Sequence, residues 1–152
     1  MSVAKKLEEM GLVLPAPAAA VASYVPCVRT DNLLHISGQL PFETDGTLIL
    51  GRLGDSMDVT AGQYAARRSA LGILAQVRAA VGDFDQVSRI VKLGVFVASA
   101  PNFTDQPEVA NGASDLFLEL FGDAGKHARS AVGVSALPRG VAVEVDAIIQ
   151  LR

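Results

Sequence analysis

Residues Val141–Leu151 read VAVEVDAIIQL, and this stretch decides the fold class. Every second residue from Val141 to Ile149 is aliphatic, which is the period of a β-strand with one buried face. On the other face, Glu144 and Asp146 interrupt an otherwise apolar element. The stretch therefore predicts a strand that is buried on one side and carries two carboxylates on the other.

Further strands are predicted upstream from short runs of β-branched and aliphatic residues between turn signals. The turn Thr30-Asp31-Asn32 is typical of a hairpin, and the valine-rich alternation of the third strand is too regular for a surface helix. With the stretch above, the predicted strands are Tyr24–Arg29, Leu33–Ser37, Val87–Val97, Ala128–Val134 and Val141–Leu151.

Two helices are predicted between these strands. Thr60-Ala61-Gly62-Gln63 has the spacing of a capping box and starts a helix that ends at Gly82. Pro107 starts the second helix, and Gly122 ends it. The expected buried stripes are Tyr64, Leu71, Leu74, Val77 and Val81 on the first helix and Val109, Ala113, Leu116 and Leu120 on the second.

Ahead of the first strand, residues 1–23 are predicted to form a short helix and an extended, proline-containing connector. Residues 24–152 then form one domain, interrupted by a turn-rich excursion at Phe42–Met57. Its ββαβαββ order predicts an α+β fold in which both helices lie on one face of a mixed sheet. The other face must be covered by a further copy of the chain, so a homo-oligomer is expected.

The composition limits the classes of partner. The chain has 152 residues, a formal net charge of −3, and 5% aromatic residues, which differs from the basic, aromatic surface of nucleic-acid-binding proteins. No apolar run approaches the roughly 20 residues of a membrane span, and Pro15 and Pro17 interrupt the N-terminal apolar stretch. We therefore expect a cytoplasmic protein that binds neither nucleic acid nor membrane.

Cys27 is the only cysteine, and His35 and His127 are the only histidines. One thiol excludes an intramolecular disulfide and a multi-thiolate metal centre, so no metal is expected. We interpret Cys27 as an inert thiol in an apolar strand and His35 as a structural residue. His127 would share a strand face with Arg129, which leaves a role at a site open.

The last two strands would bring charged residues together if a tight connection near Leu137-Pro138 joined them as a hairpin. Arg129 would then lie opposite Asp146, with Glu144 one diagonal step away. One interpretation is an ion pair on a solvated sheet face, which contributes less than about 1 kcal/mol. The other is a site in which Arg129 clamps a substrate carboxylate while Glu144 handles a proton or a water.

Four separated segments resemble the Rid family, the YjgF-like reactive intermediate deaminases once labelled L-PSP endoribonucleases. Their order and spacing match that family, including the 15 positions from Arg129 to Glu144. The resemblance extends from about Tyr24 to the C-terminus. The four segments are Ser37-Gly38-Gln39-Leu40-Pro41, Ala128-Arg129-Ser130, Leu137-Pro138 and Val143-Glu144-Val145 with Ala147-Ile148.

The resemblance implies a chorismate-mutase-like fold and a homotrimer with sites in the clefts between subunits. It also implies a cofactor-independent hydrolase that converts short-lived enamines or imines, such as 2-aminoacrylate, to 2-keto acids and ammonia. Arg129 would hold the substrate carboxylate, and Glu144 would orient or activate the water. The remaining pocket residues that it implies are Tyr24, Ser37, Asn111, Ser130 and, through its backbone, Gly38.

One position departs from the family pattern. The family often has a cysteine two places after the arginine, where this chain has Ala131, so a thiol takes no part there. Two alternatives to a deaminase remain open. One is a non-catalytic, carboxylate-binding regulatory trimer, and the other is an endoribonuclease, as the older family label states. The acidic charge and the scarcity of aromatic residues argue against the endoribonuclease.

Overall fold

The computed structural model describes residues 1–19 and 22–152 and confirms the ββαβαββ order behind a short N-terminal helix. The turn at Asp31 and Asn32 joins the first two strands as expected. The helices are α1 (Val3–Glu9), α2 (Val59–Val81) and α3 (Gln106–Phe121). The strands are β1 (Cys27–Thr30), β2 (Leu33–Gln39), β3 (Val87–Ala98), β4 (Ala128–Val134) and β5 (Val143–Leu151).

All five strands form one mixed sheet in the order β1-β2-β5-β3-β4. The predicted pairing of the last two strands is wrong, because β3 lies between them. Helix α3 connects β3 to β4 as a crossover, which makes β4 a parallel edge strand with Arg129 opposite Leu93. Strand β5 then runs antiparallel to both β2 and β3 in the middle of the sheet.

Helices α2 and α3 cover one face of the sheet, as predicted. The inward residues of β5, Val143, Val145 and Ile149, are fully buried there, and the expected α3 stripe is buried with them. Helix α1 adds Val3 and Leu7 to the same core. No helix within residues 1–19 and 22–152 lies on the opposite face, which exposes apolar side chains such as Val28 and Val132. The sheet is therefore covered on one side only.

Helix α2 differs from its prediction in two details. It begins at Val59, because the Asp58 side chain caps it by accepting a hydrogen bond of 2.9 Å from the Ala61 amide. Tyr64 is 47% exposed and does not belong to the buried stripe. Its hydroxyl instead donates to Glu43 Oε2 at 2.9 Å and ties the helix to the excursion.

The excursion at residues 42–57 forms isolated bridges instead of a regular strand. Leu53 anchors it, because this side chain is fully buried. The Leu53 amide donates to the Ala98 carbonyl at 2.8 Å, and its carbonyl accepts from the Ala100 amide at 2.9 Å. These contacts hold the excursion against the end of β3. None of the helices in the described residues has the length and hydropathy needed to cross a membrane.

A stability prediction concerns Ser69 on α2, whose buried hydroxyl has no hydrogen-bond partner within residues 1–19 and 22–152. We expect Ser69→Ala to raise the free energy of unfolding by about 1 kcal/mol, because it removes an unsatisfied polar group and favours the helix. Urea unfolding measures the change. A lower stability of the variant would show that the hydroxyl is bonded in the folded protein.

Candidate active site

Glu144 lies on the uncovered face of the sheet, opposite Phe96 of β3. Gly38 of β2 passes close beside it, at a register shift between β2 and β5. A Cβ atom at position 38 would lie 2.6 Å from Glu144 Cδ, closer than two carbon atoms can approach without a shift. The backbone at Gly38 therefore packs directly against the carboxylate, and a side chain at that position would displace it.

The environment of Glu144 favours its protonated form. Burial raises the pKa of Glu144 above its ordinary value, and the neighbouring Asp146 carboxylate raises it further. Burial also raises the pKa of Asp146, although Gly94 and Lys92 act in the opposite direction. A half-buried carboxyl with a raised pKa takes up a proton more readily than an ordinary glutamate and is suited to proton transfer.

The pKa of Glu144 provides a direct test of this environment. We expect Asp146→Asn to lower the Glu144 pKa, because the substitution removes a nearby negative charge. The value should stay above that of an ordinary glutamate, because burial is the larger cause and remains. Titration of the Glu144 carboxyl carbon by NMR measures the change. An unchanged pKa would exclude electrostatic coupling between the two carboxylates.

Two cavities, one lined by Gly38 and the other by Asp146, bring together several of the predicted pocket residues. One, of about 610 Å³, is lined by Tyr24, Ser37, Gly38 and Arg139. The other, of about 660 Å³, lies on the uncovered sheet face and contains Ser130. Tyr24 and Ser37 border both cavities, and so they lie where the two meet.

Arg129 belongs to a second cluster, on the helix-covered face at the β4 edge. Its Nη1 atom donates to Asn111 Oδ1 at 2.8 Å and to Ser114 Oγ at 3.2 Å. Both acceptors project from one face of α3, three residues apart. Asn111, predicted as a pocket residue, is thus a hydrogen-bond partner of the guanidinium.

The expected cluster of Arg129 with Glu144 and Asp146 does not form within one chain. In a sheet, residues paired in register share a face. Arg129 pairs with the buried Leu93, whereas Glu144 pairs with Phe96 on the opposite face of the same strand. Strand β3 and the thickness of the sheet separate the guanidinium from the two carboxylates, so Arg129 forms no ion pair with Glu144 or Asp146 of its own chain.

Of the other members of the Arg129 cluster, the sequence pointed to His127 but not to Ser114. Ser114 is buried on α3, three positions after Asn111, and contacts both Arg129 and His127. His127 does approach Arg129, as the expected shared face suggested. By contrast, His35 is exposed on the uncovered face. Cys27 is partly buried, and burial raises the pKa of its thiol, which fits an inert role.

The described part of the chain contains no group of three or more histidine, cysteine, aspartate or glutamate side chains placed to hold a metal ion. Asp146 shares a cavity on the uncovered face with His35 and Lys92, and the Lys92 charge acts to lower the Asp146 pKa. The chemistry that these residues offer is therefore hydrogen bonding and proton transfer.

Comparison with known proteins identifies the family. The model of the Endoribonuclease L-PSP family matches residues 15–151. The chain belongs to the Rid family. The match starts within the predicted connector and covers every strand and helix of the sheet domain. The chorismate-mutase-like α+β fold that the Rid resemblance implied is thereby confirmed.

Three similar proteins illustrate the range of Rid relatives. The Protein TCP17 of Trypanosoma cruzi is 54% identical over 98% of this chain and 94% of its own length. The crystal structure of Atu1372, of unknown function, from Agrobacterium tumefaciens has a TM-score of 0.91 at 44% identity and covers 99% of this chain and 94% of its own. A mouse relative, 30% identical over 86% of this chain and 82% of its length, is named 2-iminobutanoate/2-iminopropanoate deaminase.

Proposed function

We propose that this Rid protein hydrolyses reactive enamines and imines of small carboxylic acids, of the 2-aminoacrylate type, to 2-keto acids and ammonia. The names of Rid relatives such as the mouse deaminase support this class of reaction. The observation that carries the proposal is the pair of complementary groups: a guanidinium held along one edge, and a half-buried carboxyl whose pKa is raised.

Arg129 is suited to hold the substrate carboxylate. Asn111 and Ser114 bind its Nη1 atom, and its other nitrogen atoms have no hydrogen-bond partner within the described ranges 1–19 and 22–152. A guanidinium presents parallel N–H groups that match the two oxygens of a carboxylate. Binding through these N–H groups would place the imine carbon of the substrate at a fixed distance from the sheet.

Glu144 is suited to move the proton. A water molecule attacks the imine carbon, and the Glu144 carboxylate takes a proton from that water as the C–O bond forms. The protonated Glu144 passes this proton to the imine nitrogen, which gives a neutral carbinolamine. Glu144 then takes the hydroxyl proton of the carbinolamine as the C=O bond forms and gives it to the nitrogen, which leaves as ammonia when the C–N bond breaks. The raised pKa fits a group that must act as base and then as acid. The products are the 2-keto acid and ammonia, and no cofactor is needed.

The two groups meet only if the site is shared between copies of the chain. Within one chain Arg129 and Glu144 lie on opposite faces of the sheet, so one substrate cannot contact both. We propose a homotrimer in which the Arg129 edge of one subunit packs against the uncovered face of the next. This arrangement also covers the apolar residues Val28 and Val132, which are 50% and 45% exposed in the single chain.

The test is the hydrolysis of imines generated in place from alanine, 2-aminobutyrate and larger apolar amino acids by an amino-acid oxidase. We expect the protein to release ammonia from at least one imine well above the spontaneous rate. Binding of 2-ketobutyrate without any hydrolysis would favour the regulatory trimer. RNA cleavage that disappears in Arg129→Ala would favour the endoribonuclease, and either result would overturn the proposed deaminase.

A further inference from the structure

A continuous chain of hydrogen bonds connects the backbone to Arg129 at the junction of α3 and β4. The Nδ1 atom of His127 lies 2.6 Å from the Gly125 carbonyl oxygen, and its Nε2 atom lies 2.9 Å from Ser114 Oγ. Ser114 Oγ in turn accepts the 3.2 Å hydrogen bond from Arg129 Nη1. This series of hydrogen bonds thus ends at the guanidinium that would hold the substrate.

The direction of each hydrogen bond follows from the groups involved. A carbonyl oxygen only accepts, so Nδ1 of His127 carries the hydrogen, and Nε2 of the neutral ring is an acceptor. Burial lowers the pKa of His127, and the nearby Arg129 cation lowers it further, although the hydrogen bond to Gly125 acts in the opposite direction. The Ser114 hydroxyl therefore donates to His127 and keeps a lone pair for Arg129.

This arrangement determines which edge of Arg129 is available to a ligand. Nη1 has two hydrogens, and its two acceptors, Asn111 Oδ1 and Ser114 Oγ, account for both. The Nε–H and Nη2–H groups have no hydrogen-bond partner in the part of the chain that the structure describes. They lie on one edge of the planar guanidinium and form the fork that a carboxylate binds with two parallel hydrogen bonds.

We propose that Ser114 and His127 are positioning residues that hold Arg129 in the orientation required for a carboxylate, an inference that rests on the proposed function. His127 acts through Ser114. Its Nε2 atom keeps the hydroxyl hydrogen directed away from Arg129, so that an oxygen lone pair faces Nη1. The ring is itself held in place, because Phe117 packs against it edge to face, with ring centroids 6.3 Å apart.

Kinetics of three variants test this role. Ser114→Ala removes the acceptor for Arg129, and His127→Phe keeps the packing but removes the acceptor for Ser114. We expect each to raise KM for the imine by about tenfold, the effect of losing one hydrogen bond to a charged group, with kcat changed less than about twofold. His127→Gln offers an amide oxygen to Ser114 and should restore most of the loss.

Ser69→Ala is the matched control, because it also removes a buried serine hydroxyl from a helix but lies outside the Arg129 cluster. It should leave KM unchanged. The dissociation constant of 2-ketobutyrate, a product analogue, should follow KM in every variant. Nitrogen-15 NMR of wild type should show a protonated Nδ1 and an unprotonated Nε2 on His127.

The outcomes separate the two proposals. A wild-type protein that neither hydrolyses imines nor binds 2-ketobutyrate would end the proposed function and this inference together. An active wild type with unchanged KM in Ser114→Ala and His127→Phe would overturn the positioning role alone. Equal loss in His127→Phe and His127→Gln, accompanied by equal loss of thermal stability, would also overturn it, because the ring would then serve only to pack.

Discussion

Glu144→Gln is expected to lower kcat for imine hydrolysis by about 100-fold, because glutamine retains the size of the side chain but cannot accept the proton of the attacking water. The dissociation constant of 2-ketobutyrate should stay within about twofold of wild type, because the carboxylate anchor is on Arg129. Stopped assays of ammonia release, together with calorimetric binding of the keto acid, measure the two quantities.

The pH dependence adds a second measurement on the same variant. Glu144 must be ionised to act as a base, so wild-type kcat should fall as the pH drops through its raised pKa. This acid limb should be absent in Glu144→Gln. Glu119→Gln is the matched control, since Glu119 forms a surface ion pair with Arg67 at 3.2 Å, and it should behave as wild type. Equal turnover in Glu144→Gln and wild type would exclude Glu144 from the mechanism.

Arg129→Lys is expected to raise KM for the imine and the dissociation constant of 2-ketobutyrate by about 100-fold, because lysine keeps the charge but loses the planar fork. A lysine ammonium also cannot satisfy Asn111 and Ser114 while binding a carboxylate in the same geometry. Steady-state kinetics and calorimetry measure the effect.

The control for Arg129→Lys is Arg67→Lys, the same substitution at the surface pair with Glu119. Arg67→Lys should change neither KM for the imine nor the dissociation constant of 2-ketobutyrate. The circular dichroism spectrum of Arg129→Lys should match that of wild type, because Arg129 lies on an edge strand. Normal substrate affinity in the folded Arg129→Lys variant would contradict the assigned role of Arg129.

The strands and helices were predictable because each has a period of its own. Alternation identified β5 and the long β3, and glycines at positions 82 and 122 ended the helices where expected. The N-cap of α2 was misplaced because Asp58 and Thr60 are both good capping residues, and only the backbone geometry selects between them. Tyr64 was assigned to the core because the helical period does not reveal that its hydroxyl binds Glu43.

The sheet order was not predictable in the same way. Consecutive strands are usually neighbours, and so the sequence favoured pairing β4 with β5. The local pattern of β4 contains no information about which edge it will join. Its place beside β3 follows from the crossover through α3, a long-range property of the fold. This single difference moved Arg129 to the face opposite Glu144.

The sequence selected candidate residues for the site, but it did not predict how they are arranged in space. Motif spacing singled out Arg129, Glu144 and Gly38. The close contact of Gly38 with Glu144 explains why position 38 needs a residue without a side chain. Ser114 carried no signal, because a serine within a buried helical stripe has the pattern of an ordinary core position. Its function depends on contacts with Arg129 and His127 that exist only after β4 has packed beside α3.

The most direct test of the shared site is complementation between two inactive variants. When Arg129→Ala and Glu144→Gln subunits are mixed in equal amounts and allowed to assemble, about a quarter of the interfaces will join an intact Arg129 edge to an intact Glu144 face. We expect the mixture to regain about a quarter of the wild-type rate of imine hydrolysis. Activity no greater than the sum of the two separate variants would contradict a site built from two copies of the chain.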